Sequence, residues 1–118
     1  MIEVSIILSS EGVVGELVAE GHAGFALRGS DIVCSAFTVL LRTFARTIEA
    51  SSGVVWSVLN DGSGRFHLVV SRVLPDAAEQ FRGWCEFVLR GFEDLAQEYP
   101  GEVRIQYGSH SGRSFHGS

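Results

Sequence analysis

Cys34 and His22 are the two side chains whose types and spacing can do chemistry together in this 118-residue sequence. Cys34 follows a glycine-rich stretch, Gly21-His22-Ala23-Gly24-Phe25-Ala26-Leu27-Arg28-Gly29-Ser30, and falls in the first turn of an expected helix. Backbone N–H groups of a first helical turn have no helical partner, and the helix dipole places partial positive charge there. Such a position favours an anion, and the thiolate is the nucleophilic form of cysteine. His22 closes the preceding strand, twelve residues earlier. Where strand end and helix start are neighbours, its imidazole can take the thiol proton and later deliver a proton to a leaving group. A solvated loop histidine and a small buried cysteine would show the same spacing, so the spacing alone does not choose between the two readings.

The residues around this pair have two readings each. Ser30 or Asp31 can cap the helix, a contribution of about 1 kcal/mol, and Asp31 can instead orient His22 as a third catalytic member. A carboxylate too close to Cys34 would oppose ionisation, which favours the outward-facing cap. Gly21, Gly24 and Gly29 permit positive φ and the movement of a loop that closes over substrate, and would equally serve a tight connection. The second cysteine, Cys85, sits beside Trp84 in an apolar helical stripe and reads as a buried, inert thiol. A Cys34–Cys85 disulfide would need an oxidising compartment, for which the sequence offers no sign.

The elements that must position these residues follow from hydrophobic periodicity. Ile2, Val4, Ile6 and Leu8 alternate as a strand, and residues 13–20 form a second after the turn at Glu11-Gly12. From Asp31 the period changes to that of a helix, with Val33, Phe37, Leu40, Leu41, Phe44 and Ile48 on one face. Cys34 lies about 70° from the centre of that stripe, at its edge. Ser51-Ser52-Gly53 ends the helix, and residues 54–59 and 65–73 form a hairpin around Asn60-Asp61-Gly62-Ser63-Gly64. Pro75-Asp76 opens a second helix with Phe81, Trp84, Cys85, Val88, Leu89, Phe92 and Leu95 as its stripe. Tyr99-Pro100-Gly101 stops it, and Val103, Ile105 and Tyr107 alternate as a last strand. The order ββαββαβ, with one apolar face per helix, predicts an α+β two-layer sandwich. Both helices would lie on one side of a mixed sheet of about five strands. One domain over 1–107 is expected, with 108–118 as a small, polar and flexible C-terminal tail.

Composition removes several function classes. Fourteen acids against nine arginines give a net charge of −5 and a pI near 5.2, a poor match to phosphate backbones, so no direct nucleic-acid binding is expected. The same balance suits a cationic protein or peptide. No lysine occurs, which excludes a phosphate-cradling lysine loop and lysine Schiff bases. The glycines at 21, 24 and 29 lack dinucleotide spacing, and His67, His110 and His116 with two distant cysteines lack zinc spacing, so no cofactor or metal is expected. Mean hydropathy is positive at +0.22. Arginines and acids nevertheless break every apolar run short of about 18 residues, and the N-terminus has no basic leader region. A cytoplasmic domain without membrane association is the expectation.

The stretch from Gly21 to Ala26, followed by Gly29-Ser30-Asp31-Ile32-Val33-Cys34, resembles the signature of the ribosomal-processing cysteine protease family, Prp. The resemblance extends over residues 1–107 in element order, including Leu95-Ala96-Gln97-Glu98-Tyr99-Pro100 at the end of the second helix. It implies that Cys34 is the nucleophile and His22 its base in a cytosolic, homodimeric endopeptidase. The implied substrate is the basic N-terminal extension of bacterial large-subunit ribosomal protein twenty-seven, cut after aromatic residues. Ser35 and Phe37 depart from the small residues usual after the family's cysteine, and Thr38 replaces a serine, which bears on the substrate pocket. Two other classes fit the residues: a non-catalytic ribosome-associated adaptor that holds a basic peptide on Glu93, Asp94 and Glu98, and a thiol hydrolase acting on non-peptide esters.

Overall fold

The computed structural model describes residues 1–21, 31–60 and 64–109. Seven elements follow the expected order: β1 (Ile2–Leu8), β2 (Val14–Glu20), α1 (Asp31–Ala50), β3 (Val54–Asn60), β4 (Arg65–Val73), α2 (Ala78–Glu98) and β5 (Val103–Ser109). The five strands make one sheet in the order β3-β4-β2-β1-β5. All neighbours are antiparallel except β1 and β5, which run parallel in the register Ile2↔Val103 to Leu8↔Ser109. The sheet is therefore mixed, as the element order predicts.

Alternation along the strands decides which face the helices cover. Ile2, Val4 and Ile6 of β1, Leu17 and Ala19 of β2, and Phe66 and Leu68 of β4 are buried together with Val33, Phe37, Leu41, Phe44 and Ile48 of α1. Phe81, Cys85, Val88 and Phe92 of α2 join the same core, so both helices lie on one side of the sheet. Phe37 and Phe92 lock the helices to each other, their rings stacked with centroids 4.8 Å apart. The other face of the sheet carries ion pairs: Arg65–Glu20 at 3.0 Å, Arg104–Glu3 at 2.6 Å and His67–Glu16 at 2.6 Å.

Three boundaries differ from the periodicity, each for a local reason. Val13 precedes β2 instead of opening it, because its carbonyl accepts the Ser9 N–H and closes the turn around Gly12. Pro75–Ala77 forms a 3-10 turn before α2 begins at Ala78; proline has no N–H to lose at a helix start. Finally β5 continues past Tyr107, since Gly108 and Ser109 pair with Ile7 and Leu8 and so belong to the sheet. The segment 110–118 lies outside the described residues.

Candidate functional site

Cys34 is the fourth residue of α1, and its neighbours fix its place. Val33 and Phe37, almost fully buried, anchor one side of the first turns in the core, while Ile32 is 74% exposed on the other. Cys34 lies between them, half-buried, which is where the edge of an amphipathic stripe puts it.

The end of the sheet that receives this turn follows from topology. After α1, the chain enters β3 at Val54, opposite Val73 at the far end of β4, whereas Arg65 at the start of β4 faces Glu20 at the end of β2. A helix of 20 residues spans about 30 Å, and α1 packs on β3. Its first turn therefore lies toward the end of the sheet where β2 finishes and β5 begins. Gly21 leaves the sheet there with φ +90°, its N–H bonded to the Gly64 carbonyl at 3.1 Å. A Cβ on Gly21 would stand 2.5 Å from the Met1 carbonyl oxygen, so only glycine fits this approach.

His22, Gly24 and Gly29 lie outside the described residues, as does the side chain of Asp31, whose backbone begins α1. The structure brings the chain to one residue before His22 at the Cys34 end of the sheet. Glu102 joins the same end, its backbone carbonyl accepting the Ile2 N–H at 2.9 Å. One of its carboxylate oxygens, Oε1, is shielded from solvent with no hydrogen-bond partner among the described residues. Sequence reasoning missed Glu102: a single acid in a turn is unmarked until strand pairing places it.

The remaining candidates separate cleanly. Neither cysteine is in a disulfide. Cys85 is buried inside α2, and loss of solvation pushes its thiol up to about 11, against a smaller opposing effect of a hydrogen bond with the Val14 backbone. It is a neutral packing residue at ordinary pH. His67 lies on the sheet face away from the helices, held by Glu16, and the sheet separates it from the Cys34 turn. Glu93, Asp94 and Glu98 are exposed on α2, and Glu93 accepts the Tyr107 hydroxyl. A second feature that sequence reasoning missed is an apolar groove of about 460 Å³ between α1 and α2, lined by Val39, Leu40, Phe44, Trp84, Phe87 and Val88 among others. Val39 and Phe87 are 51% and 73% exposed at its rim. No helix of the described residues is long and apolar enough to cross a membrane.

Comparison with known proteins gives this geometry a context. The profile of a family described as cysteine protease Prp matches residues 1–104. A ribosomal processing cysteine protease Prp of Staphylococcus aureus is 29% identical over 108 residues, covering 91% of this chain and 99% of that protein. Among solved structures, an essential ribosomal processing protease Prp from S. aureus with a covalently linked product peptide superposes with a TM-score of 0.74. It is 25% identical, and the match covers 91% of this chain and 99% of that one. The same protease in complex with a substrate peptide gives 0.75 at 24% identity with the same coverage. A Streptococcus mutans structure gives 0.77 at 24% identity, covering 93% and 96% of the two chains.

Proposed function

The chain belongs to the cysteine protease Prp family and is a cysteine peptidase, and from that premise we propose that Cys34 and His22 are its catalytic dyad and a ribosomal-protein extension its substrate. The observation that carries this reading is the placement of Cys34 in the half-buried first turn of α1, at the end of the sheet where Gly21 hands the chain to His22. Cys85, the other thiol, is disqualified by its burial in the core, which suppresses its ionisation.

The chemistry runs in two halves. The Cys34 thiolate adds to the scissile carbonyl, and N–H groups at the start of α1 receive the oxyanion. His22, holding the proton taken from the thiol, gives it to the leaving amine as the C–N bond breaks, which leaves a thioester. Water, deprotonated by His22, then adds to the thioester; the C–S bond breaks and the acid product departs. Gly21, Gly24 and Gly29 allow the connection between dyad members to close over a bound peptide.

The substrate class rests on charge and on kinship. A net charge of −5 suits a cationic peptide. The S. aureus relatives are named for ribosomal processing. The substrate proposed here is accordingly the basic N-terminal extension of large-subunit ribosomal protein twenty-seven, processed in the cytoplasm by a homodimer. The exposed apolar rim at Val39 and Phe87 supports self-association. The test is to mix the protein with a ribosomal peptide carrying the extension and follow masses, with Cys34→Ala and Cys85→Ala as controls. A single cut, lost in the Cys34 variant and kept in the Cys85 variant, is expected. An intact peptide with the wild-type chain, or a cut that survives Cys34→Ala, overturns the dyad.

A further inference from the structure

The two edges of the sheet are built differently. β5, at one edge, carries polar groups: Arg104 is tied to Glu3 at 2.6 Å, and the Tyr107 hydroxyl donates to Glu93 of α2, which packs against this strand. β3, at the opposite edge, has the sequence Val54-Val55-Trp56-Ser57-Val58-Leu59-Asn60, without a charge or a proline. Val55, Val58 and Leu59 are 51%, 38% and 63% exposed. Among the described residues only β4 pairs with β3, so the backbone groups on its outer side have no strand partner. Proteins ordinarily blunt such an edge with charges or proline, because it is a template for another extended chain. β5 carries one such charge, Arg104, and β3 carries none.

The position of this edge is as telling as its composition. β3 packs against α1 and runs from the C-terminal end of that helix toward the end that bears Cys34. Its seven residues span about 23 Å, which is room for roughly six or seven residues of a second extended chain. Strand addition suits a peptidase substrate: main-chain hydrogen bonds supply affinity whatever the side chains, and they hold the peptide extended. An uncharged edge also sets no repulsion against a basic peptide.

We infer that β3 is the docking edge for the substrate, which pairs with it as a sixth strand and is led to Cys34 at the N-terminal end of α1. This rests on the peptidase reading above and adds where the chain of the substrate lies. An extended peptide, and not a second copy of the chain, is the occupant, because the edge continues toward the nucleophile and has a substrate-sized length.

Backbone pairing leaves a signature that side-chain contacts do not, since in a strand every second residue turns its N–H to the partner. Wild-type cleavage is measured with peptides N-methylated at the odd or at the even positions counted from the scissile bond, with the scissile amide itself untouched. One parity raises KM at least about tenfold, and the other leaves it within twofold of the unmethylated peptide. In parallel, hydrogen exchange is followed in the Cys34→Ala chain with saturating unmethylated peptide. Outward amides of β3 slow at least about tenfold, and those of β5 do not change. Equal KM for both parities, or binding without protection of β3, overturns the inference and leaves the peptidase standing. Protection of β3 that grows with protein concentration in the absence of peptide assigns the edge to a second copy and also overturns it. Failure of the wild type to cut the unmethylated peptide overturns the substrate itself, and the docking edge with it.

Discussion

Gly21→Ala is the substitution that most directly joins backbone geometry to catalysis. Two costs arise at that position. The first is conformational: φ is +90°, a region where an L-residue loses about 1–2 kcal/mol relative to glycine. The second is steric: the new Cβ would stand 2.5 Å from the Met1 carbonyl oxygen and 3.4 Å from the Met1 carbonyl carbon. Both are backbone atoms, so no side chain can swing aside. Relief requires the end of β2 and the start of β1 to part by about 0.7 Å, at about 1–3 kcal/mol for an overpacked contact. Gly12 supplies the control, since its φ is +82° and a Cβ there meets nothing within 4 Å. Gly12→Ala therefore isolates the first cost at about 1–2 kcal/mol, and Gly21→Ala carries both, about 2–5 kcal/mol. For a chain of 118 residues, 1 kcal/mol corresponds to about 4 °C in Tm. Calorimetry should show a loss of about 4–8 °C for Gly12→Ala and about 8–20 °C for Gly21→Ala. Peptide cleavage separates the two further. Gly12 lies in the turn at the opposite end of the sheet, and its variant keeps kcat/KM within twofold. Gly21 precedes His22, and a misplacement approaching 1 Å costs on the order of 100-fold. Equal Tm losses in the two variants would refute the steric argument. A destabilised Gly21→Ala enzyme with wild-type kcat/KM would refute the role given to His22.

Three other outcomes follow from the core and the surface. Phe37→Ala removes a fully buried ring stacked on Phe92 and should destabilise the chain by about 3–5 kcal/mol in denaturant unfolding. Cys85 gives the protein an alkaline weakness. Its thiol is raised from 9.0 to about 11, so the unfolded chain loses its proton first and stability falls between those values, by up to about 2.7 kcal/mol. The drop in unfolding free energy from pH 8 to pH 11 should therefore be smaller in Cys85→Ala, and an equal drop in both proteins contradicts a buried thiol. Phe87→Glu places a charge on the rim of the α1–α2 groove. Sedimentation should show wild-type dimers and variant monomers with unchanged melting, whereas a dimeric variant removes the groove from self-association.

The elements were legible because each depends on neighbours in sequence. Val33, Phe37, Leu41, Phe44 and Ile48 recur at helical spacing, so the face α1 buries could be read directly, and with it the place of Cys34 at the edge of that face. Cys85 was legible for the same reason. The boundaries that differed were decided by single contacts: the carbonyl of Val13 accepting from Ser9, and Gly108 and Ser109 meeting Ile7 and Leu8 across a register. No periodicity encodes those partners.

What could not be read is the order of the strands, and function depends on it. β1 pairs with β5 across about a hundred residues of sequence, in parallel, and that pairing puts β1 inside the sheet and sends β3 to an edge. Had β5 added beside β3 instead, the same seven strand residues would be a covered inner strand, and their lack of charge would be ordinary. Only at an edge does Val54–Asn60 become unusual, because there it lacks even the single charge that β5 carries at Arg104. Glu102 makes the same point: the β1–β5 pairing sets it beside Ile2 at the Cys34 end and shields one oxygen of a plain turn residue from solvent. The proposed nucleophile is thus read from local sequence, whereas the proposed path of the substrate toward it depends on topology.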